Sequence, residues 1–358
     1  MKAALAGLAL AALVPLVVSD TGIVLHNLIL AAAYVTMALG LNIVVGFAGL
    51  LDLGFVAFFA IGAHVAAHLG SAFWANAHFS LFSDAAGRPG IHLNFLLILV
   101  AAIIATSIVG VLIGLPTLRL RGDYVGMVTL AFGEIIAQVV SNGRDIRFLG
   151  GSLTGGAGGI PVIDKVDLPL LPRFTALDLR PWYWFSLVLV AVVILVSVRL
   201  RDSRLGRAWF ALRDDETAAA CAGIPIARTK LLAYGTGAAF GGVAGAFLAS
   251  YDSIVNPSQF TFSFSIFILA MVVIGGLGSI RGVIIAAVAL SVFNHYLLPD
   301  VLYNVPAKLG MSFDLSEVAS GIYGLLLVVA VLLRGLGETP APARSEGLAV
   351  LRDGHCSP

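Results

Sequence analysis

The chain has 358 residues, of which 59% are hydrophobic and 11% are charged, whereas globular domains carry about 45–50% apolar and about 25% charged residues. This composition predicts a polytopic membrane protein and excludes a soluble domain of ordinary size. The net charge of +1 gives no global attraction to nucleic acid, so we expect no nucleic-acid partner.

Ten apolar runs lie between charged or Gly- and Pro-rich breaks, and each approaches the roughly 20 residues that a helix needs to cross a bilayer. They predict an all-α fold with about ten transmembrane helices, at residues 3–19, 23–46, 52–70, 93–115, 124–141, 182–198, 230–250, 261–278, 281–298 and 317–334. The first run resembles a signal peptide but has no clear A-x-A cleavage site, so we expect an uncleaved span. The transmembrane domain is predicted to cover 1–334, followed by a disordered tail, 335–358, rich in Pro and small residues.

Basic residues set the expected orientation. An even number of spans puts both termini on one face, and most clusters of Lys and Arg fall on that face: Lys2, Arg119, Arg121, the segment 199–230, Arg281, Arg334, Arg344 and Arg352. Because short cytoplasmic loops carry an excess of Lys and Arg, we expect this face to be cytoplasmic. The loop 142–181 then lies outside although it carries basic residues of its own. Both cysteines, Cys221 and Cys356, fall on the cytoplasmic side, so we expect no structural disulfide.

The stretch from Gly40 to His64 is rich in glycine and also holds two polar residues, Asn42 and Asp52. Glycines such as Gly46 and Gly49 let helix backbones approach closely, or let a helix break so that its freed backbone groups line a cavity. Asp52 stands either at membrane depth, where a carboxylate is costly, or in the turn between the second and third spans. A weak echo of the glycine pair, Gly275 and Gly278, ends the eighth span, and we interpret it as chance.

Glu134 is the clearest intramembrane carboxylate, in the middle of the fifth predicted span. Placing a carboxylate in the hydrocarbon core of a bilayer costs free energy, so we expect Glu134 to face the helix bundle, paired or near water. Two roles stay open for it: a proton relay, or a structural hydrogen bond to a neighbouring helix.

The loop 148–163 concentrates glycine around Thr154, with Gly155 and Gly156 directly after it. Its backbone N–H groups could form a concave anion-binding surface. The alternative is a flexible outer loop, and composition alone does not favour the anion site.

The segment 199–230 holds seven of the 21 basic residues, interleaved with four acids, and it cannot cross a membrane. From Arg207 to Ala222 there is no Gly or Pro, which predicts one helix that ends at Gly223, before Pro225. A polar helix held between apolar spans is well placed to contact another protein. The alternative is a merely solvated helix.

Enzymatic and metal-binding signatures are missing from the sequence. None of the four lysines follows a glycine, so the chain has no G-K-[ST] phosphate loop, and it has no H-E-x-x-H or G-x-S-x-G. His64 and His68 stand four residues apart on one helix face, but no nearby Cys or carboxylate completes a zinc set. We expect no metal, no cofactor and no ATP hydrolysis on this chain.

Three stretches taken together resemble the permease subunits of branched-chain amino-acid ABC importers, specifically the LivM-like subfamily. They are ALGLNIVVGFAGLLDLGFVAFFAIGAH, SLTGGAGGI, and GRAWFALRDDETAAACAGIPIARTKLLAY followed by MVVIGGLGSIRGVIIAA. Their order, spacing and span count cover the chain up to about residue 334.

The resemblance implies a cytoplasmic coupling helix that docks on an ATP-binding subunit through the pattern E-A-A-x-x-x-G. Here Thr217 stands at the first position, and Glu216 lies one residue early. The implied coupling residues are Arg213, Asp215, Glu216, Ala218, Ala219 and Gly223, with Arg213 and the acids able to pair with charges on the partner. The translocation pathway is assigned to Asn42, Gly46, Gly49, Asp52, Glu134, Thr154, Gly155 and Gly156.

The resemblance also implies the other components of the transporter and a location in the inner membrane. These components are a second, LivH-like permease, two ATP-binding subunits that carry ATP and Mg, a periplasmic binding protein, and membrane lipid. Closely similar permeases serve importers of urea and short amides, and an ion-coupled secondary transporter remains a different class of hypothesis.

Overall fold

A computed structural model describes residues 22–74, 78–81, 89–120, 124–148, 151–166, 174–175, 178–294, 321, 324–325 and 328. The predicted first span, 3–19, and the tail, 335–358, lie outside the described residues, as does most of the tenth span, 317–334. The other eight predicted spans fall on described helices.

The described part of the chain is mainly helical. Its ten helices of more than five residues are α1 (Gly22–Leu41), α2 (Val56–Leu69), α3 (Phe95–Thr117), α4 (Tyr124–Asn142), α5 (Arg180–Asp202), α6 (Arg204–Asp214), α7 (Glu216–Cys221), α8 (Ile226–Asp252), α9 (Phe262–Gly275) and α10 (Ile280–Val292). A π-helical turn, Asn42–Phe47, continues α1 directly. Six of the described helical segments are long and apolar enough to cross a membrane, whereas α2 and α10 are shorter apolar helices. The prediction of an all-α polytopic membrane protein is confirmed, and the count of ten spans stays a prediction.

Helix α8 lies at the centre of the bundle, where it packs against α1, α2 and α3. Its sequence is rich in Gly and Ala, which lets its neighbours approach closely. A Cβ at Gly62 of α2 would collide with the backbone of Gly242 of α8, and a Cβ at Gly242 would collide with Thr106 of α3. The three helices therefore meet at a point where only glycine fits.

Among the described residues, seven short strands lie in the connections at one end of the bundle. They are β1 (Gly70–Ser71), β2 (His78–Leu81), β3 (Gly90–Leu93), β4 (Arg147–Phe148), β5 (Gly151–Ser152), β6 (Ile160–Pro161) and β7 (Ile254–Val255). The first sheet has the order β1-β3-β2, with β3 antiparallel to β1 and parallel to β2. The pairs β4–β5 and β6–β7 are antiparallel, and Ile160 pairs with Val255 in the second of them. We call this the strand end; α6 and α7 mark the opposite, charged end.

Helices α3 and α5 present apolar side chains outward, as lipid-facing helices do. The exposed large hydrophobic residues of these two helices are Leu96, Leu97, Val100, Ile104, Ile108, Leu112 and Leu115 on α3, and Trp184, Val188, Val192 and Leu195 on α5.

Candidate functional site

The charged segment forms two helices rather than the single predicted one. Asp215 has extended backbone angles (φ −158°, ψ 114°), so α6 ends at Asp214 and α7 begins at Glu216. The break is stabilised because Asp215 Oδ1 accepts hydrogen bonds from the backbone N–H groups of Thr217 and Ala218, at 2.7 and 3.0 Å. The prediction of one continuous helix was therefore wrong. The predicted end is confirmed, since Gly223 follows α7 with φ +82°.

One face of α6 and α7 packs on the bundle. Trp209 is fully buried, and its indole N–H donates to the backbone oxygen of Thr229 on α8, at 2.9 Å. Leu212 and Ala219 are buried on the same side, whereas Ala218 and Gly223 stay exposed. The two helices thus keep a firm attachment to α8 and present a second, free face within the described residues.

An ion pair ties α7 to α8. Lys230 Nζ lies 2.8 Å from Glu216 Oε1, and the Lys230 side chain is only 6% exposed while that of Glu216 is 48% exposed. Glu216 was predicted to lie on the partner subunit's side, and no role was predicted for Lys230. A lysine one turn inside an apolar helix was the available signal, because such a residue needs a partner.

Arg213 connects α6 to the π-helical turn at the end of α1. Its Nη1 donates a hydrogen bond of 2.6 Å to the backbone oxygen of Gly46. The ring of Phe210, on the same helix, contacts that of Phe47, with 5.3 Å between the ring centroids. Arg213 was expected to pair with charges on a partner subunit, and its hydrogen-bond partner in the structure lies within the chain.

The π-helical turn also contacts the loop between α9 and α10. Asn42, fully buried, accepts a hydrogen bond of 2.8 Å at Oδ1 from the backbone N–H of Gly278. A Cβ at Gly46 would stand 2.5 Å from that same nitrogen and would collide with Asn42. The two glycine pairs that we interpreted as a chance echo therefore meet in space, through Gly46 and Gly278.

Gly49 closes the arrangement. It has φ +69°, a conformation that glycine adopts without strain, and a Cβ there would lie 2.8 Å from Arg213 Cγ. We call the set Asn42, Gly46, Gly49, Arg213 and Gly278 the glycine junction. A cavity of about 220 Å³ lies beside it, between Gly49, Arg213 and the Glu216–Lys230 pair.

Asp52 lies in the turn between the π-helical segment and α2, which was one of the two positions that the sequence left open. It is 1% exposed, and its Oδ1 accepts a hydrogen bond of 2.9 Å from the N–H of Gly54. The adjacent Leu53 donates its N–H to Thr129 Oγ1 of α4 and accepts from Ser265 Oγ of α9. Asp52 therefore shapes a turn that joins three helices.

Glu134 is exposed on α4, so among the described residues it does not point into the bundle, and its expected place near water stays a prediction. The inward side of α4 is occupied by small residues, because Gly133 lies against the backbone of Gly54. Gln138, one turn further on, is exposed too and accepts a hydrogen bond of 3.2 Å from Asn142 Nδ2. The outward face of α4 thus carries two polar residues, Glu134 and Gln138, among exposed apolar ones such as Met127 and Ile135.

The Thr154 loop packs against the end of α4 and against β7. Thr154 is buried; its Oγ1 donates to the backbone oxygen of Val140 at 2.7 Å and accepts from the N–H of Gly156 at 3.2 Å. Gly155 has no room for a Cβ against the backbone of Gly159. These contacts make the loop an ordered connection, and its place in the translocation pathway stays a prediction.

Comparison with known proteins identifies the family. The family model described as "Branched-chain amino acid transport system / permease component" matches residues 23–331. The high-affinity branched-chain amino acid transport system permease protein LivM of Escherichia coli K12 is 37% identical over 331 residues, which covers 87% of this chain and 68% of that protein. The probable branched-chain amino acid transport permease protein LivM of Methanocaldococcus jannaschii is 27% identical over 250 residues, 68% of each chain.

A second kind of permease also matches, over a shorter region. The LivH permease protein of Salmonella typhimurium is 29% identical over 154 residues, which is 43% of this chain and 46% of that protein. No solved structure matches the chain. Because the family match extends over most of the chain, and because the E. coli permease shares more than a third of its aligned residues, the chain belongs to the family of branched-chain amino acid transport system permease components.

Proposed function

We propose that this chain is a translocation subunit of an ATP-driven importer for branched-chain amino acids. One observation carries the proposal: α6 and α7 offer an exposed face at the charged end, while Arg213 on the same segment holds the carbonyl of Gly46 in the π-helical turn of α1. A segment that is free on one side and bonded to a transmembrane helix on the other is suited to pass a displacement inward.

The coupling role follows from the packing at the glycine junction. The free face, with Ala218 and Gly223, would dock on an ATP-binding subunit, which carries ATP and Mg. Small residues on that face allow close packing against the partner subunit. A shift of α6 would reach α1 through Arg213 and would reach α9 and α10 through the bond between Asn42 and Gly278. π-helical turns inside helices are frequent at functional sites, and this one lies where those contacts converge.

The outward face of α4 would line the translocation path together with a second, LivH-like permease. Glu134 and Gln138 lie there side by side, one turn apart. A carboxylate in a membrane helix is stabilised at a water-filled cavity or by a protein partner and is costly against lipid. The apolar outward faces of α3 and α5 would contact lipid instead.

The orientation follows from the positive-inside rule. The charged end, with α6 and α7, is cytoplasmic, and the strand end faces the outside of a bacterial inner membrane. Ten spans, with both termini in the cytoplasm and a disordered tail from 335 onward, complete the permease domain of 1–334. A periplasmic binding protein would deliver the substrate at the strand end.

The substrate assignment rests on the relatives, whose names specify branched-chain amino acids. They favour leucine, isoleucine and valine over urea and short amides. The single most informative experiment is purification of the affinity-tagged chain from native membranes, followed by identification of its companions. We expect a second permease and an ATPase, and a co-encoded binding protein that binds leucine. A chain that purifies alone and takes up substrate under a proton gradient would instead be a secondary transporter.

A further inference from the structure

The π-helical turn at the end of α1 has hydrogen bonds that are out of step with those of an α-helix. The N–H of Ala48 donates to the oxygen of Ile43, five residues back, at 3.2 Å. The N–H of Leu50 donates to the oxygen of Val44, six residues back, at 3.0 Å. An α-helix joins residues that are four apart. In that register Ala48 would donate to Val44, and Leu50 would donate to Gly46.

Arg213 takes the place that this offset leaves. Its Nη1 donates a hydrogen bond of 2.6 Å to the oxygen of Gly46, which is the oxygen that the N–H of Leu50 would reach in an α-helix. A charged donor forms a stronger hydrogen bond than a neutral N–H group does. The guanidinium group of Arg213 therefore stabilises the π register of the turn relative to the α register.

A change of register costs none of the three acceptors its donor. The oxygens of Ile43, Val44 and Gly46 each accept a hydrogen bond in the π register. In an α-helix each of them would accept from the residue four positions further on, so that Gly46 exchanges Arg213 for Leu50. The turn thus has two hydrogen-bonded arrangements, and the contact with Arg213 selects between them.

Gly49 makes the second arrangement accessible. It has φ +69°, whereas a residue in an α-helix has φ of about −63°, and glycine adopts both signs without steric cost. A Cβ at Gly49 would lie 2.8 Å from Arg213 Cγ, so this residue packs directly against the side chain that holds the turn. Closely packed elements switch between discrete arrangements more readily than they deform continuously.

We propose that Arg213 is a positioning residue that holds the turn in the π register, and that the turn passes to the α register when α6 moves away. A shift of one residue is about 100° of helix rotation for the chain that follows. That chain includes Leu53, which bonds to Thr129 of α4 and to Ser265 of α9, so the change would reach both helices. The inference rests on the proposed function, in which the ATP-binding subunits move α6.

The test reads the register of the turn directly, by cryo-electron microscopy of the full complex in lipid nanodiscs. The unmodified complex is imaged without nucleotide and after trapping with ATP and vanadate. Without nucleotide we expect the π register, with Arg213 bonded to Gly46. In the trapped state we expect the nitrogen of Leu50 at about 2.9 Å from the oxygen of Gly46, and Arg213 beyond hydrogen-bonding distance of that oxygen.

Three variants separate control of the register from simple support of α6. Arg213→Met removes the donor and keeps a long side chain, so the turn should adopt the α register even without nucleotide. Arg213→Lys can still donate to Gly46 and should keep the π register. Arg204→Met, at an exposed position of the same helix, is the matched control and should keep the π register too.

The inference is overturned if the turn in Arg213→Met keeps the bond from Leu50 to Val44, or if the trapped complex keeps the bond from Arg213 to Gly46. The two states of the unmodified complex decide the question if Arg213→Met does not assemble.

The same preparations separate this inference from the proposed function. If an ATPase and a second permease co-purify and the turn is the same in every preparation, only the change of register fails. If no ATPase co-purifies, the proposed importer fails, and Arg213→Met imaged with its remaining companions still tests whether Arg213 holds the π register.

Discussion

The glycine junction and a cavity at the strand end are built in opposite ways. At the junction, the backbones of Gly46 and Gly49 lie against the side chains of Asn42 and Arg213 and the backbone of Gly278, and neither glycine leaves room for a single added carbon. In the cavity, side chains of α1, α2, α8 and α9 stand apart at the strand end and leave about 340 Å³ open. The glycine junction has no free volume, whereas the cavity has room for a small molecule.

This contrast fits the two tasks that an importer subunit combines. Close-packed contacts transmit displacement because they are not easily compressed, so a region that passes motion from one helix to another gains from having no free volume. A region that receives and releases a substrate needs open volume and a few well-placed polar groups. The five predictions that follow test the glycine junction first and end at Glu134 on the outward face of α4.

The largest expected effect comes from filling the junction. Gly46→Leu and Gly49→Leu should each abolish uptake by the reconstituted complex, because overpacking costs about 1–3 kcal/mol and here it also displaces Arg213 or the N–H of Gly278. Gly158→Leu is the matched control, since nothing lies within 4 Å of the position of its Cβ. Normal uptake by Gly46→Leu would contradict a tight junction.

Gly223→Asp should remove the ATPase from the complex and leave the permease pair intact. Nothing lies within 4 Å of a Cβ at this position, so the new carboxylate disturbs no contact within the described chain. We expect the amount of co-purified ATPase to fall at least about tenfold, equivalent to about 1.4 kcal/mol of docking free energy. Gly223→Asn controls for the positive φ of +82° without adding charge. Equal recovery of ATPase with both variants would argue against docking at α7.

Arg213→Gln should uncouple hydrolysis from transport. The lost hydrogen bond to Gly46 involves a charged donor, and such bonds contribute about 1.5–3 kcal/mol, so uptake per ATP hydrolysed should fall roughly tenfold. Arg204→Gln, an exposed residue on the same helix, should leave this ratio within about twofold of the parent value, as expected for a solvated charge. The ratio is measured in proteoliposomes with binding protein present. An unchanged ratio in Arg213→Gln would remove the link between α6 and α1 from the mechanism.

Breaking the Glu216–Lys230 ion pair should have a smaller effect, which we expect on the stability of the complex. Glu216 is half exposed, so Glu216→Gln should cost only about 1 kcal/mol, although it leaves a buried ammonium group unpaired. The double variant with Lys230→Met should recover most of this loss, because the buried ammonium group that Glu216→Gln leaves unpaired is then replaced by an apolar side chain. Thermal unfolding of the purified complex checks both, with the exposed Asp214→Asn as control. A double variant less stable than Glu216→Gln would contradict the pairing.

Local patterns in the sequence predicted much of the fold. Apolar runs located eight spans that fall on described helices, and the absence of Gly and Pro before Gly223 predicted the end of α7. The same patterns collected Asn42, Gly46 and Gly49 into one stretch, so three of the five residues of the glycine junction could be found by inspection.

The contacts between distant segments could not be found that way. The bonds from Arg213 to Gly46 and from Gly278 to Asn42 join residues 167 and 236 positions apart, and no local pattern encodes such pairs. Asp215 was hidden inside a sequence with good helix propensity, because its capping bonds outweigh propensity in this context. The cavity requires the ends of α1, α8 and α9 to meet beside α2, and no local pattern encodes that meeting.

The smallest expected effect comes from changing Glu134 on the outward face of α4. This change separates an ATP-driven importer from an ion-coupled secondary transporter. Glu134→Gln should change ATP-dependent uptake by less than about threefold, because the isosteric amide retains most of the hydrogen-bonding capacity of the carboxylate. In the proposed ATP-driven importer the energy would enter through the glycine junction, so a carboxylate on the outward face of α4 need not carry a proton. The measurement compares uptake by the full complex with ATP and uptake by the permease pair alone under a proton gradient. Suppose that the permease pair alone transports substrate under the proton gradient and that Glu134→Gln stops this transport. The energy then enters at α4, and the assignment of coupling to the glycine junction is wrong.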